Sequence, residues 1–323
     1  MSGDFGPSAT IEVLKKRSDL LQQVRAFFLE RDFMEVDTPM LSADTVVDRY
    51  IEPISVSINA NGNHKPMFLQ TSPEFAMKRL LAGSAKRIFQ LGKAFRNGEC
   101  GRQHQPEFTM LEWYRTGDSY EQGRQLLDEF VQSILRVPPA LQLTYREALI
   151  RFAEIDPYTE DSLQLQRSLS SLGIEISSAD GEVDRDNLLN LALSQLVEPK
   201  LKHEPSVIIY DWPATQSALA KVRNDNRFAV AERFEIYVNG MELANGYHEL
   251  TDANELATRN DKVNRQRLND GGQELPVESR MLRAMQSGLP ESCGTALGFD
   301  RLLMLKIGED DIRNVVPFDF DRA

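Results

Sequence analysis

The stretch Phe95-Arg96-Asn97-Gly98-Glu99-Cys100-Gly101-Arg102-Gln103-His104-Gln105-Pro106-Glu107-Phe108-Thr109-Met110-Leu111-Glu112-Trp113-Tyr114 sets a polar, glycine-containing segment before an alternating apolar one. It reads as a strand ending near Phe95, a polar loop, and a return strand from Glu107 to Tyr114, so the two strands are antiparallel neighbours. Period-two alternation puts Phe108, Met110, Glu112 and Tyr114 on one face of the return strand. A carboxylate beside a phenol on a sheet face suits an ammonium group; the same pattern also fits a sheet edge whose polar residues face water. Arg96, at the end of the first strand, has the planar fork that grips a phosphate, although one arginine in a loop is by itself ordinary surface chemistry.

On the N-terminal side, Ile11 to Arg31 reads as an amphipathic helix, with Leu14, Leu21, Val24 and Phe28 recurring at helical steps. Met34 to Pro39 is a short extended segment and Met67 to Thr71 a strand, with Arg87 to Leu91 another. Ser72 and Pro73 open a helix, serine as N-cap and proline at the first helical position. On the C-terminal side, a polar helical stretch runs from about Ser119 to Leu201, and its charged residues Glu182, Asp184, Arg185 and Asp186 read as a solvated face. Val207 to Tyr210 returns to strand character.

Arg233 to Val238 and Met241 to Tyr247 flank Asn239-Gly240, a two-residue hairpin signal. In that register Tyr237 faces Glu242, Glu235 faces Ala244, and the two glutamates become diagonal neighbours on one face. Carboxylates so placed repel unless a cation lies between them, and magnesium carrying a nucleotide phosphate is the natural guest. Solvent exposure of both is the plainer alternative. Strict alternation sends Glu249 to the face opposite Glu242, so a twist or bulge at Gly246 is needed to bring them together. Asp252 to Asn269 is a charged helix. Gly294 to Gly298 leads into the apolar run Leu302 to Ile307, with Arg301 near the helix start, where a backbone can approach a phosphate. Hairpin-joined strands with helices between them predict an α+β fold.

Composition narrows the function. The chain has 323 residues, 41% of them hydrophobic, enough for a large core. It contains no apolar run of about 18 residues, and Met1 to Thr10 lacks the features of a signal peptide, so a cytoplasmic protein is expected. Cys100 and Cys293 have no CxxC partners, which leaves a zinc site or disulfide framework unsupported. A net charge of −12 disfavours a broad nucleic-acid surface and favours a basic partner.

Three segments, in order, resemble the motifs of class II aminoacyl-tRNA synthetases: Phe33 to Pro39, Phe95 to Tyr114, and Gly294 to Arg301. Ser72-Pro73-Glu74, His104 to Met110, and Asn245-Gly246 leading to Glu249 are most similar to the catalytic core of lysyl-tRNA synthetases. The phrase from Phe108 to Arg115 resembles the stand-alone paralogues of those enzymes, which ligate a lysine-type amino acid, (R)-β-lysine, to elongation factor P. The likeness spans 1–323 as one catalytic domain, is weakest over about 118–201, and shows no counterpart of the anticodon-reading domain.

The resemblance implies a six-stranded antiparallel sheet flanked by helices, a homodimer, ATP as substrate with Mg2+, and elongation factor P rather than tRNA as acceptor. It implies that Arg96 and Arg301 are catalytic and hold ATP, with Phe108 stacked on adenine. Asn97, Gly98, Gln105, Glu242, Leu243 and Gly298 line the nucleotide, and Glu235 and Glu242 hold the metal. Ser72, Pro73, Glu74, Glu112, Tyr114, Asn245, Glu249 and Ala296 form the amino-acid pocket. Two positions depart from the synthetase pattern: Gly98 replaces a glutamate, with Glu99 next, and Gln105 replaces an asparagine. A non-catalytic amino-acid sensor, or a ligase acting on a free amine or on tRNA, are the rival readings.

Overall fold

The computed structural model describes residues 5–176, 184–225 and 228–323. In chain order its elements are α1 (Ile11–Leu29), β1 (Met34–Glu35), β2 (Leu41–Ser42), β3 (Ser55–Ala60), β4 (Asn63–Leu69), α2 (Glu74–Ala82), β5 (Arg87–Phe95) and β6 (Glu107–Thr116). Then follow α3 (Tyr120–Leu135), β7 (Leu141–Thr144), α4 (Tyr145–Ala153), α5 (Ser162–Ser171), α6 (Arg185–Ala192), α7 (Glu198–Leu201), β8 (Ser206–Pro213), β9 (Val222–Asp225), β10 (Phe228–Val238) and β11 (Met241–His248). The chain closes with α8 (Ala253–Asn269), α9 (Arg280–Gly288), β12 (Ser292–Gly298) and α10 (Phe299–Ile307). It forms two compact units, one of residues up to Ser119 with Glu249–Ala323, the other Tyr120–His248.

In the first unit, β5 and β6 pair antiparallel from Arg87↔Arg115 to Phe95↔Glu107, β12 pairs antiparallel with β6, and β1 adds a short parallel edge to β5. Thr10 caps α1 through its hydroxyl, which accepts from Val13 N–H. The buried side of α1, Leu20, Val24, Phe27 and Phe28, packs on this sheet, with Phe28 stacked on Phe89 (4.9 Å) and against Trp113 (5.1 Å). A separate three-stranded sheet has the order β2-β4-β3. In the second unit, β8 and β11 flank β10 antiparallel, β9 also pairs with β10, and β7 runs parallel to β8. Its core gathers Tyr145, Leu149, Leu165, Leu188, Ile209 and Trp212.

The α+β class is as expected. The strand count is not: among the described residues the larger sheet of the first unit has four strands, beside the separate three-stranded one, and the second unit has five, where six were expected, and two edge pairings are parallel. The helix after Ser72 begins at Glu74, with Pro73 in the cap position and the Ser72 hydroxyl accepting from Glu74 N–H at 3.3 Å. Arg185 and Asp186 are more than a solvated face. Arg185 donates to the Pro157 and Glu160 carbonyls, and Asp186 accepts from Thr215 Oγ1 at 2.7 Å, so they staple α6 to neighbouring loops. Asp184 caps α6, and Glu182 lies outside the described residues.

Candidate active site

In the first unit, strand pairing brings Ala296 opposite Glu112 and Gly294 opposite Tyr114, so β12 lays small residues beside the polar face of β6. β6 is buried there, not a solvated edge: Glu112 is 1% exposed. The Tyr114 hydroxyl donates to Glu112 Oε1 at 2.5 Å, while Glu112 Oε2 is buried without a hydrogen-bond partner. Helix α2 brings in Glu74 and, one turn later on the same face, Lys78. Lys78 Nζ lies 2.5 Å from Glu74 Oε1 and 2.5 Å from Glu249 Oε2. Three carboxylates and a phenol therefore surround one ammonium.

Burial shapes the protonation of this cluster. Desolvation and the nearby Glu74 charge push Glu112 up to about 8, against the opposing Tyr114 bond and Lys78. Desolvation pushes Glu249 up to about 8 as well, against Lys78 and the Gly294 N–H. Burial alone would lower Lys78, but the Glu249 and Glu74 carboxylates hold it above the ordinary lysine value. Tyr114 stays a neutral donor, its pKa raised by burial and the surrounding carboxylates.

A raised carboxylate pKa stabilises the empty fold below the ordinary value near 4.5, and that contribution is lost as pH rises through about 8. A cationic ligand needs the ionised form, so its affinity grows over the same range. Between about pH 8 and about pH 6, calorimetric affinity for a cationic ligand should fall by up to roughly tenfold per unit for each carboxylate that must ionise to hold it. A flat profile contradicts the protonation assigned to Glu112 and Glu249.

Gly294 is placed where no side chain fits: a Cβ would overlap the Tyr114 ring and the Glu249 carboxylate. Gly294→Ala should therefore force both groups apart. Overpacking of this kind costs about 1–3 kcal/mol, and a displacement near 1 Å costs about 10²-fold in rate. Urea unfolding should register the overpacking, and any reaction run at this site should slow on the second scale; a variant unchanged in both contradicts the placement.

The other residues of this unit lie along the β5–β6 loop and the start of α10. The Arg96 guanidinium stands 5.1 Å from the Phe108 ring centroid, donates to the Thr71 carbonyl at 3.4 Å, and lies 3.6 Å from Glu99. Asn97 and Gly98 are exposed, and Gly98 adopts φ +80°, a turn conformation that a glutamate would resist. The Gln105 amide is buried, and its oxygen accepts from Phe320 N–H at 2.9 Å. Arg301, in the first turn of α10, contacts the His104 ring and the Gln103 carbonyl, with Gly298 beneath its side chain. Arg96 and Arg301 thus both contact the β5–β6 loop, Arg96 at Glu99 and Arg301 at Gln103 and His104.

In the second unit, Tyr237 pairs with Glu242 as expected, but Glu235 pairs with Asn245 rather than Ala244. The reason is a bulge on β11 at Leu243, where the expected position was Gly246. It puts Glu242, Asn245 and Tyr247 on the face of Glu235. Glu235 is 4% exposed, not solvated, and its oxygens accept from Arg233 (2.6 Å) and Tyr237 (2.6 Å). Burial raises its pKa, Arg233 lowers it, and the neighbouring Glu242 raises it again. A divalent cation would relieve that repulsion, and half-buried Glu242 is the more accessible ligand. The residues fit a cation in this respect.

Two features escaped sequence reading. Lys78 was legible as a partner of Glu74 four residues earlier, but such pairs are usually surface pairs. Arg17, on α1, forms a buried pair with Asp300 at 2.6 Å, and no local pattern links residues so far apart.

Residues 5–322 match the model of the class II tRNA synthetases of the D, K and N type. The chain belongs to that family. Along its whole length it is 44% identical to the elongation factor P–(R)-β-lysine ligase of Vibrio cholerae, over 324 residues covering 100% of this chain and 99% of the relative. The ligase of the same name from Vibrio atlanticus is 42% identical over 325 residues, covering 100% of both chains. That of Salmonella typhi is 42% identical over 319 residues, 98% of each. Among the described residues of this class II chain, no helix is long and apolar enough to cross a membrane.

Proposed function

We propose that this class II chain activates a lysine-type amino acid, (R)-β-lysine, with ATP and transfers it to a lysine side chain of elongation factor P. The observation that carries the reading is the buried convergence of Glu74, Glu112 and Glu249 with Tyr114. Three carboxylates around the single ammonium of Lys78 leave acceptor oxygens in excess for a substrate with two ammonium groups. The full-length likeness to ligases of that name supports both the amino acid and the acceptor.

The first step needs no general base, because the substrate carboxylate is already ionised. Its oxygen attacks the α-phosphorus of ATP, and the bond to the bridging oxygen breaks to release pyrophosphate. Arg96 neutralises charge on the transferring group and Phe108 offers a stacking face for adenine, with Arg301 toward the far phosphates. Magnesium, for which Glu242 backed by Glu235 is the donor pair, would supply charge neutralisation on the phosphates. In the second step the neutral acceptor amine attacks the acyl carbon, the acyl–phosphate bond breaks to release AMP, the nitrogen gives up one proton to solvent, and an amide remains. The cytoplasm and a homodimer are the setting this family reading implies.

Ala296 bears on which lysine is used. Its methyl group stands at the cross-strand position of Glu112. It crowds an amino group on the α-carbon more than one a carbon further along. A methyl-sized change is worth about 1–3 kcal/mol, so Ala296→Gly should improve α-lysine relative to (R)-β-lysine by roughly 10–200-fold. Unchanged selectivity in side-by-side exchange assays moves the discrimination elsewhere, to Glu74 or Tyr247.

The transfer test uses ATP, labelled (R)-β-lysine, and either elongation factor P or lysine tRNA. Label on the protein is the expected result, and added salt should slow it by screening a basic docking loop from this acidic enzyme. Efficient labelling of tRNA with none on the protein would overturn the acceptor.

A further inference from the structure

Lys78 carries a charge in a place closed to water. Its side chain is 2% exposed, and the Glu249 carboxylate it contacts is 1% exposed. The groups facing this pair are Glu74 from α2, Glu112 and the Tyr114 ring from β6, and the Gly294 N–H from β12. Three carboxylates thus surround one resident ammonium, an excess of two negative charges when all are ionised. A diamino acid whose own carboxylate has been consumed in the adenylate brings two positive charges. With Lys78 in place the occupied pocket is neutral; without it, one buried negative charge has no partner. A buried charge in that position is relieved by taking up a proton. The proton would then occupy a carboxylate that should receive the substrate.

We propose that Lys78 is a positioning residue, the protein's own third cation, which holds the Glu74 and Glu249 carboxylates in place, each 2.5 Å from its ammonium, to receive the two amino groups of the substrate. The proposal rests on the diamino-acid reading above and adds a residue to it. It accounts for a lysine buried at the centre of a site built for lysine-type ligands: the resident ammonium is tethered to the middle of α2, while Glu112 Oε2 is left without a hydrogen-bond partner.

The test compares ATP–pyrophosphate exchange by the unsubstituted protein, Lys78→Met and Lys78→Gln across about pH 6 to about pH 9. Losing an opposite charge at this range moves a carboxylate pKa by about one to three units. The acid limb of kcat/KM for the amino acid should shift upward by about that much. The amino-acid KM should rise at least about tenfold, one pKa unit's worth, with the ATP KM unchanged. A second readout uses Lys78→Ala with added n-propylamine, which should restore part of the lost activity where n-propanol does not. Circular dichroism and the unfolding midpoint identify folded variants, and Lys78→Gln is read if Lys78→Met fails to fold. Folded variants that keep the limb and the amino-acid KM overturn the proposal, as does a loss confined to kcat or to unfolding temperature. If the unsubstituted protein shows no exchange, the activity reading itself fails, and it takes this proposal with it.

Discussion

Arg17→Ala should lower the unfolding free energy by about 3–5 kcal/mol, the cost of stranding a buried charge without its partner. Arg17 Nη1 lies 2.6 Å from Asp300 Oδ1, and the two side chains are 10% and 3% exposed. The same guanidinium donates to Thr109 Oγ1 at 2.8 Å and to the Val315 carbonyl at 3.2 Å. Asp300 Oδ2 in turn accepts from Thr109 N–H at 2.7 Å. The cluster therefore ties α1, β6 and α10 together through groups that have no water to turn to. Because Asp300 precedes Arg301, its loosening should also lower activity at temperatures where the fold persists. Urea unfolding of the purified variant measures the effect. Arg17→Met with Asp300→Leu should recover most of the loss, since an apolar pair of similar volume avoids the desolvation cost altogether. A loss below about 1 kcal/mol, the scale of an exposed pair, would contradict the burial argument.

Arg96→Ala should reduce adenylate formation by about 10²–10³-fold, or about 2.7–4 kcal/mol in the transition state, while the protein stays folded. The side chain is half-buried and makes few tight contacts: one long bond to Thr71 O, a 3.6 Å approach to Glu99, and the Phe108 ring face. Little stability depends on it, so a large kinetic loss must reflect charge developing on ATP. Pre-steady-state formation of the aminoacyl-adenylate, beside an unfolding curve, separates the two. A rate within about threefold of the unsubstituted enzyme would remove Arg96 from the chemistry.

Sequence periodicity reached the elements around the site because their signals are local. The alternation of Phe108, Met110, Glu112 and Tyr114 marks one face of β6, and Asn239-Gly240 makes the two-residue turn, both residues at positive φ. Register beyond the turn was less legible. The bulge at Leu243 adds a residue to one strand, and a period-two reading has no means of locating such an insertion. Burial was the larger gap. Glu235 and Glu112 carry the same sequence signature as solvated glutamates, and only the packed sheet takes them out of water. Lys78, Arg17 and Asp300 fall in the same class: polar residues whose roles are set by partners distant in the chain or by a neighbouring strand. The family likeness supplied the carboxylates of the pocket; the structure adds the cation among them.

In the proposed function, the acid cluster of Glu74, Glu112 and Glu249 selects a diamino acid for activation. The direct measurement is ATP–pyrophosphate exchange with (R)-β-lysine, α-lysine and norleucine, the last having the same chain without the terminal ammonium. An unpaired buried charge costs on the order of 2–5 kcal/mol, so norleucine should be poorer than α-lysine by at least about thirtyfold. Exchange with norleucine as efficient as with α-lysine would contradict the account.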